Sequence, residues 1–346
     1  MQLEKQLAEE KHKTLHLEYE AKIQRYELAE SWRPAQIPEH ESSVARTAPQ
    51  LSTGACLEHL YADDTQIYGF CPLSGAGSLL QDINGCVDAV ADWMSSNRLQ
   101  LNSDKTEFMW LTTARSQQRL PTVGPTIGSA TIAPCTEVRD LGVFIDADLT
   151  MRTHVQRTVS RCFATLRQLR SIRRSVPTPV FQSLVVALVL SRLDYCNSLL
   201  INLPASLIQR LQSVQNAAAR LIFNMRRSEH ITDALISLHW LCVPERIIFK
   251  VATLTYRALQ GTAPPYLVCQ FTRVADMPNR RRLRSASTTQ LDIPSIRLPT
   301  VGSRAFPVAG ASVWNSLPDD VTSSPSLPTF RRHLKKYLFC RCYNTI

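Results

Sequence analysis

The sequence predicts an α+β chain, and three observations predict it. Alternating apolar residues flank an aspartate pair at Tyr61-Ala62-Asp63-Asp64, an amphipathic helix and further strands follow, and the chain becomes helical after Asp148. Residues 1–31 are rich in Glu, Lys, Gln and Leu, with Leu3, Leu7, Leu17 and Leu28 on one loose heptad stripe. An isolated N-terminal helix is expected there. Glu10, Thr14 and Gln24 share the stripe, so self-association as a coiled coil and a solvated single helix both remain open. Residues 32–55, with Pro34, Pro38 and Pro49 among Ser, Thr and Glu, are expected to be a linker.

The region 56–149 opens with a strand-turn-strand centred on Asp63 and Asp64, whose second arm is Thr65-Gln66-Ile67-Tyr68-Gly69-Phe70. Leu80, Ile83, Val87, Val90 and Met94 then recur at helical spacing. The stretch Leu99–Leu111 is expected to turn and continue as a strand through Phe108 and Trp110, and Val138–Ile145 as another strand. Over 150–265, Val155, Val159, Phe163, Leu166 and Leu169 form one apolar stripe, with Arg157, Arg161 and Arg167 off it. Leu207, Leu211, Val214, Ala218 and Leu221 mark another helix, and Pro177, Pro179 and Pro204 separate helices. Residues 266–346 are basic and rich in Pro and Arg, ending in a short helix over Thr329–Phe339.

Composition narrows the function classes. With 346 residues and 44% hydrophobic content the chain can bury a core. A net charge of +10 favours polyanionic partners such as RNA or DNA over acidic-surface roles. The ten cysteines include no C-x-x-C pair, only Cys340-x-Cys342, so neither a zinc site nor a disulfide framework is expected. The charged stretch Met1–Ala8 is not a secretory signal, and the longest apolar run, Leu184–Leu190, is too short to span a bilayer. An intracellular location with reduced thiols is expected, nuclear or cytoplasmic.

Paired carboxylates at a hairpin turn can hold the magnesium ions of nucleotidyl transfer, although four residues alone fit an Asp-rich turn as well. Context shifts that balance. The box is followed in order by Asp92-Trp93-Met94, Asn97–Asn102, Lys105-Thr106-Glu107 and Leu141-Gly142-Val143-Phe144-Ile145-Asp146, and later by Ser191–Asn197, Gln215–Arg220 and Trp314–Pro318. From about Leu57 onward this series resembles the C-terminal half of the reverse transcriptase of non-LTR, LINE-type retrotransposons.

The resemblance implies a partial palm-like antiparallel sheet with its helix, an α-helical thumb-like region and a C-terminal region. It implies that Asp63 and Asp64 coordinate catalytic Mg2+, that Lys105 lies near the incoming triphosphate, and that Leu141–Asp146 is a primer-grip hairpin. Tyr61, Gly142, Arg157, Arg161 and Arg167 are then the residues expected at nucleic acid. The family also requires fingers and another aspartate-bearing palm strand ahead of the box, and residues 1–55 carry no recognisable version of either. Glu58 is no replacement, because a partner ligand comes from a neighbouring strand. A truncated, catalytically inactive RNA-directed DNA polymerase with residual nucleic-acid binding is therefore expected. Two alternatives stand beside it: a coiled-coil interaction protein carrying a polymerase remnant, and a chimeric gene product without a selected function.

Other groups are read as structural. Asp146 and Asp148 fit a strand-ending turn better than a nuclease site, and His154, His230 and His239 lack ligand spacing. Trp240 and Trp314 are expected in packing, while Arg281, Arg282 and Arg284 fit either phosphate contacts or a solvated loop.

Overall fold

The computed structural model describes residues 56–61, 64–277 and 289–343, with 56–61 and Asp64 as backbone. The expected helix over 1–31, the linker over 32–55, Asp63 and the cluster Arg281, Arg282 and Arg284 lie outside the described residues. Helices and small antiparallel ladders mix within the chain, as expected of an α+β protein. It divides into two compact units, one holding the described residues up to Trp110 and Arg115–Cys135, the other Leu111–Ala114 and Thr136 onward.

In the smaller unit, β1 (Cys56–Tyr61) and β2 (Asp64–Gly69) pair antiparallel from Tyr61↔Asp64 to Cys56↔Gly69. Helix α1 (Ala76–Ser96) follows and buries Leu79, Ile83, Cys86, Val87 and Val90, a stripe shifted slightly from Leu80 and Met94. It stops where Arg98 takes a left-handed conformation and the Leu99 N–H reaches back to the Met94 carbonyl at 2.8 Å. That six-to-one bond satisfies a carbonyl the helix leaves open.

The expected strand through Phe108 and Trp110 does not form. Asn102 Oδ1 accepts from the Asp104 N–H at 3.0 Å, opening a 3-10 turn over Ser103–Lys105. Local side-chain bonding of this kind diverts the backbone from a ladder. Phe108 makes one isolated bridge to Pro134. Strands β3 (Thr126–Ile127) and β4 (Ala130–Thr131) form a short hairpin, fixed to α1 by the Thr126 N–H donating to Asn84 Oδ1 at 2.9 Å. Gly124 is required beside them: a Cβ there would lie 2.3 Å from the Ile132 carbonyl oxygen and 2.7 Å from the Phe108 ring.

Val138–Ile145 is not one strand but a hairpin of β5 (Glu137–Asp140) and β6 (Val143–Asp146), because Leu141 and Gly142 both have positive φ, 43° and 87°. Two successive residues in that region form the turn whose twist suits a two-residue hairpin. The β5–β6 hairpin falls in the larger, helical unit, although the sequence reading placed it within the region 56–149.

Asp146 then does what a strand-ending turn requires: Oδ2 accepts from the Thr150 hydroxyl at 3.0 Å and from the Thr153 N–H at 3.3 Å, at the start of α2 (Arg152–Ile172). Asp148 Oδ1 accepts from Thr150 as well.

Helix α2 buries Val155, Cys162, Leu166 and Leu169 against α5 (Ala205–Phe223), which contributes Leu211, Val214, Ala218 and Ile222. Between them runs one continuous helical stretch: α3 (Thr178–Val185), a π turn (Val186–Leu190) and α4 (Ser191–Asp194). Pro177, Pro179 and Pro204 sit at helix starts, where a missing N–H costs nothing.

After α6 (Thr232–Ser237) comes α7 (Val243–Leu259), against which α8 (Phe306–Asn315) and α9 (Leu327–Tyr343) pack. The terminal helix is thus longer than the Thr329–Phe339 expected. Its Phe330, Leu334 and Leu338 are fully buried, and the Phe330 ring lies 4.4 Å from that of Tyr256 and 6.0 Å from that of Trp314. Trp240 and Trp314 are packing residues, the latter donating its indole N–H to the Thr289 carbonyl at 3.0 Å. No helix among the described residues is long and apolar enough to cross a membrane.

Candidate nucleic-acid interface

A helix that buries one stripe is free to carry charge on the rest, and α2 carries only one sign. Between Arg152 and Ile172 stand five arginines and no carboxylate. All five are exposed. At 100° per residue these side chains spread over about half of the helix circumference, a broad basic ridge around the buried stripe that is suited to a phosphate backbone.

At the N-terminal end of this ridge the structure brings together Arg157 and Arg161, two of the residues expected at nucleic acid. The link is Phe144, two residues beyond Gly142 on β6. The guanidinium carbons of Arg157, Arg161 and Arg139 stand 4.5, 5.6 and 5.9 Å from the Phe144 ring centroid. Stacking on a ring uses the flat face of a guanidinium rather than its N–H edge, so the cations are oriented without consuming their donors. Arg157 also pairs with Glu137 on β5. That carboxylate is the local competitor for any bound phosphate.

The support under Phe144 is itself held. His154 Nδ1 accepts from the Phe144 N–H at 3.3 Å. Burial pushes the His154 imidazole below its ordinary value, with Asp146 opposing and Arg161 reinforcing that shift, so the ring is held neutral, as an acceptor requires. His154, expected from sequence as an ordinary polar or partly buried histidine, is buried. The hairpin tip is fixed from another side, where the Tyr195 hydroxyl donates to the Leu141 carbonyl at 2.6 Å. Gly142 faces the same Tyr195 ring.

Arg167 is not part of the Phe144 cluster. It lines a groove of about 500 Å³ with Gln156, Val159, Ser160 and Phe163 of α2 and Arg210 of α5. Its lining mixes the apolar Val159 and Phe163 with polar Gln156 and Ser160 and the two cations Arg167 and Arg210. Sequence reasoning missed Arg139 and Arg210. Arg139 was visible as a cross-strand partner once the Leu141-Gly142 turn is recognised, and Arg210 as the charged residue off the Leu207, Leu211 and Val214 stripe.

The expected polymerase residues are distributed differently. Tyr61 and Asp64 are brought opposite one another as the last register pair of β1 and β2. Lys105 ends the 3-10 turn and is exposed. These belong to the smaller unit and the arginine ridge to the larger one. Comparison with known proteins gives no assignment: no protein-family model matches the chain, and no curated protein or solved structure does either.

Proposed function

We propose that this chain is the distal palm and thumb portion of an RNA-directed DNA polymerase of the non-LTR retrotransposon type, and that it binds RNA or DNA through phosphates without extending a primer. The observation that carries the proposal is the arginine ridge of α2, continued by Arg139 and Arg210, with Phe144 orienting three of its cations. Guanidinium groups that contact phosphates displace condensed counterions, and their contribution is indifferent to base sequence.

Catalysis is a separate matter. Two-magnesium transfer draws carboxylates from more than one strand around the reacting phosphate. Among the described residues the β1–β2 ladder has two strands and no third beside it. The proposal therefore gives Asp63 and Asp64 an ancestral role as Mg2+ ligands, with Lys105 at the triphosphate, and no present turnover.

Fluorescence anisotropy with a labelled 20-nucleotide RNA and a DNA of the same sequence tests the binding arm. Binding is expected at low salt, with log K falling linearly against log salt. Replacing Arg157, Arg161 and Arg167 together by alanine lowers that slope by about 2, at about 0.7 to 0.9 per contact. Glu137→Gln, which releases Arg157, tightens binding. No affinity at low ionic strength, or a slope unmoved by the triple replacement, defeats the proposal. Primer extension on an RNA template tests the other arm, where any product lost in Asp63→Ala/Asp64→Ala shows that turnover survives.

A further inference from the structure

The sequence offers no local metal motif, yet the fold brings together two thiols that are a hundred residues apart. Cys342, near the end of α9, has its sulfur 2.7 Å from that of Cys242, the residue that precedes α7. Both are free cysteines. Glu245 lies in the first turn of α7, and the donor atoms of Cys242, Glu245 and Cys342 all stand within 4.8 Å of one another. In the metal-free chain Cys342 donates its S–H to the Cys242 sulfur, and Cys242 donates in turn to the Tyr343 hydroxyl oxygen at 3.7 Å.

We propose that Cys242, Cys342 and Glu245 form a binding site for a thiophilic divalent cation of the zinc class, with water in the fourth position. Two thiolates and a carboxylate suit Zn2+ and exclude Mg2+, which prefers oxygen ligands throughout. Zinc–sulfur bonds of about 2.3 Å in a tetrahedron place the sulfurs about 3.8 Å apart, so binding opens the pair by about an ångström. All three donors are half-buried, which leaves a path for the ion.

The backbone around Cys242 is held in advance. Gln215 Nε2 donates to the Leu241 carbonyl at 2.8 Å, and the Val243 N–H donates to Gln212 Oε1 at 2.8 Å. These two glutamines of α5 fix the residues on either side of the thiol. The Tyr343 hydroxyl, next to Cys342, donates to the Trp240 carbonyl at 2.5 Å and so fixes the other half of the site to the same loop.

Binding breaks two S–H bonds, forms two metal–sulfur bonds and releases both protons to solvent. Because the cation displaces these protons, apparent affinity falls on acidification.

Cobalt(II) added to the full chain in a phosphine reductant tests the site, the reductant keeping disulfides out of the result. One equivalent is expected to give a thiolate-to-cobalt charge-transfer band with the visible bands of a tetrahedral ion, displaced by Zn2+. Cys242→Ser and Cys342→Ser abolish the band, Glu245→Gln weakens binding at least tenfold, and Cys340→Ser leaves both unchanged. Alkylation mapping of the wild-type chain needs no variant: Zn2+ should protect Cys242 and Cys342 selectively. Absence of the band, its persistence in the Cys242→Ser/Cys342→Ser double variant, or protection of other cysteines instead overturns the proposal.

Discussion

The two units solve the same problem with unequal means. The larger one buries side chains from every helix between α2 and α9 in one connected core, with Val155, Phe181, Val214, Phe330, Leu334 and Leu338 fully enclosed. The smaller closes its core with Leu79, Ile83, Cys86, Val87 and Ile127, and leaves Phe70 81% and Leu99 52% exposed. Buried apolar area is the main favourable term in folding, and it rises faster than linearly with the size of the unit. The helical unit therefore carries its own stability, whereas the hairpin bearing the aspartate pair rests on one helix.

The largest effect that would sharpen this contrast comes from Phe330→Ala. Removing a fully buried ring stacked on Tyr256 should cost about 3–5 kcal/mol, read as a lower urea midpoint of the larger unit. Native-state hydrogen exchange should show α7 and α9 losing protection while α1 keeps its own. Equal losses in α1 would break the comparison by showing that the units unfold together.

The counterpart in the smaller unit is Ile83→Ala, expected to cost about 2–3 kcal/mol. With so few buried neighbours, α1 should then exchange at nearly the rate of an open chain. Protection persisting there would mean that the small core is better supported than its burial implies.

A smaller effect is set by pH. His154 has its folded-state value depressed by burial, so the unfolded chain takes up a proton at higher pH than the folded one does. Its contribution is fully present above the ordinary imidazole value of about 6.5 and is lost as pH falls below it. Urea midpoints of the larger unit at pH 7.5 and 5.5 should differ less in His154→Gln than in the wild type. An unchanged difference would place the pH sensitivity elsewhere.

The smallest expected change is a gain. Leu141 holds a positive φ that a branched apolar side chain tolerates poorly, and Asn before Gly suits this turn. Leu141→Asn should stabilise by about 0.5–1 kcal/mol, seen as slower exchange in β5 and β6, with the Tyr195 bond to the backbone carbonyl retained.

How much of this was legible follows from the range over which each signal acts. Helices α1, α2 and α5 were readable because their apolar residues repeat within a few turns, and the β1–β2 hairpin because alternation brackets its turn. Phe108 and Trp110 misled because aromatic content outweighed the capping behaviour of Asn102, a single side-chain bond. The Val138–Ile145 stretch misled for the opposite reason: its apolar residues are continuous, and only Gly142 signalled that the backbone reverses. Nothing local could have joined Cys242 to Cys342, or placed α8 and α9 on α7, because those contacts depend on the packing of the whole unit. Of the expected interface, Arg157 and Arg161 were legible as off-stripe charges, while Arg139 required the hairpin and Arg210 required a second helix.

The π turn between α3 and α4 has a consequence at the level of the gene. Its Ser191 N–H reaches the carbonyl five residues back at Val186, so the turn holds one residue more than a regular helix would. The lengthened turn leaves Val189, Leu190 and Leu193 buried and lets Asp194 accept from Arg246 Nε of α7 at 2.8 Å. Loss of one codon between 186 and 190 would restore an ordinary helix and turn everything after it by about 100°. Leu193 would swing out of the core and Asp194 away from its partner. Here the chain tolerates a substitution better than a shortening, and the irregular turn is what keeps the two halves of the helix in phase.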